Sequence, residues 1–178
     1  MPGGVASHTP QADKMRLKSE STMTQPGRCS CGKITFHLTG APLFTQACHC
    51  TDCQRFTGTA FGIGMLVLEK DLVLTQGEPV SYEHTTGSGN RYTAAFCAHC
   101  GTYLWGRYSL RPGVVAVRPG TLDDAQAGEP QVHVWTRSKL PWVSIPEGVP
   151  TFPMGYKTPE VWPEASLQRL QAASRSGG

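Results

Sequence analysis

Apolar and polar residues alternate clearly from Lys33 onward. Ile34, Phe36 and Leu38 share one face, while Lys33, Thr35, His37 and Thr39 share the other, the mark of a half-buried strand. Residues 60–68 and 72–74 form the next strand candidates, with Asp71 and Gly77-Glu78-Pro79 as turn punctuation. Residues 80–83 and 91–96 flank Gly87-Ser88-Gly89-Asn90, the pattern of a hairpin with a short loop. Residues 102–105, 114–117 and 132–135 complete the set. In the body only residues 51–56 invite a helical turn. After Pro163, the series Glu164, Ala165, Leu167, Leu170 and Ala172 can start a short helix that Ser-Gly-Gly ends.

The pattern predicts one mainly β domain over residues 25–157, with short helical turns only. A polar leader over residues 1–24 has no sustained apolar period and is expected to be disordered. Lys14, Arg16 and Lys18 would suit an organelle-targeting segment, but Asp13 and Glu20 oppose that. Residues 158–178 form a C-terminal tail. A length of 178 residues fits a single domain, and Gly 20 with Pro 14 agrees with many turns between short strands.

Charge excludes more than it assigns. A formal net charge of +3 and 16% charged residues give no electrostatic footprint for nucleic acid or a membrane surface. Arg107, Arg111 and Arg118 form no dense basic stripe. No apolar run approaches the roughly 18 residues of a spanning helix. The first 30 residues lack the apolar stretch of a secretory signal, so a reducing, cytoplasmic setting is expected.

The seven cysteines carry the chemistry. They fall into three tight groups, Cys29-x-Cys31, Cys48-x-Cys50-x2-Cys53 and Cys97-x2-Cys100. An odd count leaves a closed disulfide framework one thiol over, and in a reducing setting clustered thiols hold metal. The first and last groups are two-ligand knuckles, each followed at once by a glycine that lets the backbone turn. Together Cys29, Cys31, Cys97 and Cys100 supply four thiolates, a closed structural zinc set that clamps distant segments together. Cys48, Cys50 and Cys53 supply three, which leaves a fourth position open, as in a catalytic zinc. Three soft thiolates suit a soft incoming ligand, above all another sulfur. Two zinc ions per chain with seven thiolates would bring the formal charge to neutrality. Other partitions stay open: His49 or His99 closing a four-ligand site, a single zinc, or Asp52 as a carboxylate ligand, although the commoner role for Asp52 here is to cap a short helical turn.

The pattern Cys-x-Cys-Gly, then Cys-His-Cys-x2-Cys-x-x-Phe-x-Gly, then Phe-Cys-x2-Cys-Gly-Thr resembles the glutathione-dependent formaldehyde-activating family, which includes centromere protein V. Residues 28–33, 47–62, 95–102, 114–123 and 133–142 carry the likeness, and all seven cysteines align. The leader has no counterpart in it. The resemblance implies a complex β fold, a structural zinc on Cys29, Cys31, Cys97 and Cys100, and a functional zinc on Cys48, Cys50 and Cys53. It further implies a carbon–sulfur lyase acting on a thiol adduct, of the S-hydroxymethylglutathione type or a related S-substituted thiol, with the substrate sulfur bound to the second zinc. The partner would then be a small-molecule thiol, glutathione among the candidates. Centromere protein V suggests a different outcome, a non-catalytic binding module in which both zincs are scaffolding. Use of Cys48, Cys50 and Cys53 as labile redox or storage thiols is a third reading.

Beyond the cysteines, Arg55 is the candidate contact for a substrate carboxylate. Phe56 and Phe61 are candidate pocket walls. His49 and His99 titrate near neutrality and could move a proton, Trp135 and Trp142 could stack on a ligand, and none of these has a fixed role from sequence. No general acid or base is named.

Overall fold

The computed structural model describes residues 24–176, so the expected leader lies outside the described residues except for Thr24. In chain order the elements are β1 (Gln25–Arg28), β2 (Thr35–Leu38), β3 (Phe44–Cys48), α1 (Thr51–Thr57), β4 (Gly62–Leu68), β5 (Leu72–Gln76) and β6 (Val80–Thr85). They continue with β7 (Arg91–Phe96), β8 (Tyr103–Tyr108), β9 (Val114–Val117), β10 (Val132–Val134), β11 (Thr151–Phe152), α2 (Thr158–Val161) and α3 (Glu164–Ser176). The mainly β reading holds. Eight strands make one sheet in the order β11-β10-β3-β4-β9-β8-β7-β6, and β1-β2-β5 make a second. Pairing is antiparallel except where β10 meets β3 and β11.

Alternation along the central strand β4 divides the core. Met65 and Val67 point to one side and join Ile34, Phe36, Leu38, Leu104, Trp105, Val115 and Val117 beneath the small sheet. Leu66 and Leu68 point to the other and join Leu43, Phe44, Val114, Val132, Val134 and Trp162. Leu167, Leu170 and Ala173 of α3 pack on that second cluster, so the tail helix covers the far face of the large sheet. Phe36 meets Trp105 edge-on at 5.3 Å, locking the small sheet against the large one.

Sequence patterning missed three strands, for identifiable reasons. β3 lies inside the sheet between β4 and β10 and exposes none of its residues on either face, so it shows no alternation. β1 carries Pro26 and Gly27, which argue against a central strand, but it is an edge strand whose one strand partner is β2, with a single bridge from Gly27 to Leu122 on its other side. Gly27 is required there: a Cβ would sit 2.5 Å from the Phe36 ring. β11 is only two residues long. No helix among the described residues is long and apolar enough to cross a membrane.

Candidate metal centre

Two turns of the same design bring four cysteines together. Gly32 donates to the Cys29 carbonyl and Gly101 to the Cys97 carbonyl, at 3.0 and 2.9 Å. Both glycines have positive φ, 73° and 71°, a region that side chains disfavour. The Cys29 and Cys97 amides are returned to the Ile34 and Thr102 carbonyls, which closes each knuckle. Cys29 Sγ then lies 3.5 Å from Cys31 Sγ, and Cys31 Sγ lies 3.8 Å from Cys97 Sγ. The Ile34 amide donates to Cys29 Sγ at 3.3 Å, and Thr102 Oγ1 sits 3.1 Å from Cys100 Sγ. The Thr102 hydroxyl and amide pull the Cys100 thiol down to about 5. Donors aimed at the sulfurs favour the thiolate form, which is the form that binds metal.

The other three cysteines ride on the junction of β3 and α1. Cys48 ends the strand, Cys50 is the N-cap of the helix, and Cys53 lies in its first turn. Cys50 Sγ accepts the Cys53 amide at 3.4 Å and lies 3.4 Å from Cys48 Sγ. Cysteine thus fills the capping position where Asp52 was the expected cap. Asp52 instead accepts the Gly87 amide at 2.7 Å, tying α1 to the β6–β7 hairpin loop. Gly58 ends the helix in the left-handed conformation.

Within each group the sulfurs all lie within 4.8 Å of one another, and all seven cysteines are free thiols. Both groups can hold a metal ion, and thiolate sets select soft ions. The protonation pattern of the trio supports this. Donation from Cys48, then from Cys53, pulls Cys50 down to about 2 against the effect of burial. Cys48 is pushed above the ordinary thiol range by its bonds to Cys50 and Cys53, and then by burial. Cys53 rises to about 12: donation from Cys48 works the other way, but Cys50 and burial outweigh it. Within the trio, Cys50 is thus the thiol that ionises most readily. A divalent cation in its midst is what lets all three ionise.

The histidines stay out of both groups. His49 is fully buried with its Nε2 2.8 Å from His133 Nδ1, and its ring lies against Phe61 at 5.0 Å. Burial, then the His133 charge, holds His49 below its ordinary value, and burial does the same for His133. His99 is exposed and meets Lys33 Nζ at 3.2 Å. Neither joins a cysteine cluster, so closure of the second site by a histidine has no geometric basis among the described residues.

Arg55 is exposed and follows Cys53 by two residues, which turns it about 200° around the helix. Phe56, three residues on, shares the Cys53 side and packs in an aromatic group with His84, Tyr103 and Phe96 at 4.8 to 5.8 Å. Phe56 and Phe61 therefore both have ring partners in the fold. Gln54 binds α1 to the loop that follows β10, donating to the His49 and Ser138 carbonyls at 2.8 and 2.9 Å. That loop begins at Trp135, the one non-glycine residue with positive φ among the described residues. Arg137 lies 5.0 Å over its ring, while Trp142 is 71% exposed.

The cation beside the trio was not legible in the sequence. It is Arg118, just beyond β9, whose charge acts on Cys53. It donates to the Ile63 carbonyl at 2.8 Å and to the Tyr92 and Tyr103 hydroxyls at 3.0 and 2.7 Å. Nothing in its local sequence distinguishes it from Arg107 or Arg111. Only the β4–β9 pairing, with Met65 opposite Val117, brings it near α1.

Comparison with known proteins agrees with the cysteine pattern. The family model described as glutathione-dependent formaldehyde-activating enzyme matches residues 24–138. No curated protein matches the chain. One solved structure, described as the crystal structure of a Rhodobacter sphaeroides protein, is 22% identical with a TM-score of 0.46. Its alignment covers 59% of this chain and 96% of that one, a likeness too slight to argue from.

Proposed function

The chain belongs to the glutathione-dependent formaldehyde-activating enzyme family, and on that premise we propose that it is a zinc-dependent carbon–sulfur lyase acting on a thiol adduct. The observation that supports this reading best is the trio itself, three sulfurs gathered on one strand–helix junction with no fourth protein ligand in the cluster among the described residues. The adduct would be of the S-hydroxymethyl type or a related S-substituted thiol, and glutathione is the thiol the family description names. A zinc ion held by Cys48, Cys50 and Cys53 would supply a soft Lewis acid that stabilises a thiolate sulfur. Cys29, Cys31, Cys97 and Cys100 would hold the other zinc, with a purely structural task.

The chain's own residues set the conditions. Cys50 is fixed by its capping bond, so the trio is held in place before any substrate arrives. Asp52 and Gln54 anchor α1 on two sides and keep the sulfurs from drifting. In breaking an S-hydroxymethyl adduct, sulfur leaves with the electron pair of the C–S bond while the hydroxyl loses its proton and becomes a carbonyl. His49 and His133 hold each other in the interior, so neither is assigned the proton. Arg55, the expected contact for a substrate carboxylate, is exposed on α1 but turned about 200° from Cys53, so the geometry gives it no place beside the trio.

The test is turnover of S-hydroxymethylglutathione by the zinc-loaded full chain, followed by NMR beside Cys50→Ala. Acceleration above the spontaneous rate that the substitution abolishes is the expected result. No acceleration from a chain holding two zincs would leave the scaffolding-only reading.

A further inference from the structure

Arg118 is a cation without a carboxylate partner among the described residues. Its backbone amide donates to the Leu104 carbonyl at 2.8 Å, which fixes the start of the side chain. The guanidinium lies 4.2 Å over the Tyr103 ring, and its Nη atoms are spent on Ile63 O and the Tyr92 and Tyr103 hydroxyls. Nε is shut off from water and has no acceptor. Gly106 makes this arrangement possible, because a Cβ there would occupy the space of the Tyr92 hydroxyl. Among the described residues no carboxylate pairs with Arg118. Burial pushes the Tyr103 hydroxyl further from ionising, and that hydroxyl donates to Tyr92 Oη at 2.7 Å.

A desolvated guanidinium cannot shed its proton, so it needs an anion nearby or it costs stability. The anion within reach is the cysteine trio. A Cβ placed on Gly62 would lie 3.4 Å from Arg118 Nη1 and 3.5 Å from Cys53 Cβ, so the two side chains flank one backbone position. A divalent ion on three thiolates carries a net charge of −1, equal and opposite to the arginine.

We propose that Arg118 is the fixed counter-cation of the Cys48–Cys50–Cys53 metal site. It is a positioning residue that acts by charge on metal retention and on the admission of an anionic fourth ligand. Without it a thiolate would approach a site already negative. With it the approach starts from neutrality. This inference rests on the metal reading of the trio made above.

The test uses the zinc-loaded full chain and a coloured zinc chelator, 4-(2-pyridylazo)resorcinol. Wild type should release two zincs in two phases, the faster from the trio and the slower from the four-cysteine site. Arg118→Met and Arg118→Gln should accelerate the faster phase by on the order of tenfold or more and leave the slower one unchanged. Arg118→Lys keeps the charge and loses the planar fork, and should stay within about threefold of wild type. An unchanged faster phase in Arg118→Met overturns the inference, as does a lysine variant that releases zinc as fast as the methionine one.

A second arm covers variants too unstable to load. In the background of Cys48→Ser, Cys50→Ser and Cys53→Ser the trio has no charge, so Arg118→Met should leave the melting temperature unchanged or raise it. A drop as large as in the parent chain would show that the arginine acts by packing alone, and overturns the inference. A single zinc in wild type would sink the metal reading itself and this inference with it. Two zincs with a faster phase indifferent to Arg118→Met would sink only the role of the arginine.

Discussion

Replacing Cys50 by alanine separates the two cysteine groups more sharply than any other single change. The substitution removes one of three sulfurs and the side-chain cap of α1. Loss of a cap costs about 1 kcal/mol. α1 is a seven-residue helix with no buried residue, so little packing is lost with it. At about 2–4 °C per kcal/mol for a chain of this size, the melting temperature should fall by only a few degrees. The effect on the metal is larger. A four-ligand structural zinc is worth about 10–16 kcal/mol, so one thiolate's share is about 3 kcal/mol, on the order of a hundredfold in affinity. The variant should therefore be folded, carry one zinc where the wild type carries two, and lose turnover of an S-substituted thiol by several orders of magnitude. Metal analysis, a thermal melt and an NMR turnover assay on one preparation decide it. A folded Cys50→Ala protein with one zinc and undiminished turnover would refute the mechanism. An unfolded one would show that the trio is scaffolding.

Cys100→Ser should behave in the opposite way. The four-cysteine site joins Cys31 to Cys97 across most of the small-sheet core, so its loss should unfold the chain, and wild-type melting with full zinc content would contradict that assignment. Gly106→Ala places a methyl group on Tyr92, so it should cost about 1–3 kcal/mol and loosen the second zinc through Arg118, read by thermal melt and zinc release; an unaltered protein would show that Tyr92 can move at no cost. The buried histidine pair sets a pH dependence. Burial, with the His133 and Lys139 charges, holds His49 below 6.5, and burial does the same for His133. Their folded values lie below the unfolded ones, so the unfolded chain takes up more protons on acidification. Stability should be full above 6.5 and fall as pH drops below it, and His133→Asn should flatten that fall in denaturant midpoints recorded with zinc content at each pH. Equal slopes in both proteins would place the acid sensitivity elsewhere.

The cysteine groups were readable in the sequence because metal knuckles are local: Cys29 to Gly32 and Cys97 to Gly101 each carry their own turn. The same holds for the alternating stretch at Ile34, Phe36 and Leu38, whose burial follows from a period of two. What stayed hidden depends on pairing between distant segments. β3 gives no alternation because none of its residues is exposed on either face. Arg118 acquires its meaning only when β9 lies beside β4 and Tyr92 folds over Gly106. His49 looked like a ligand or a proton carrier because it stands between two cysteines. Successive residues leaving a strand point to opposite sides, and that turned its ring inward to His133. Asp52 had the composition of a cap, and the Cys50 sulfur took that position instead.

The most direct measurement is a crystal structure of the zinc-loaded chain soaked with glutathione, with anomalous data at the zinc edge. The account predicts two zincs per chain, one enclosed by Cys29, Cys31, Cys97 and Cys100. The other should be bound by Cys48, Cys50 and Cys53, with the glutathione sulfur as fourth ligand at about 2.3 Å. A trio without metal, or a second zinc closed by a protein side chain and indifferent to glutathione, would contradict it.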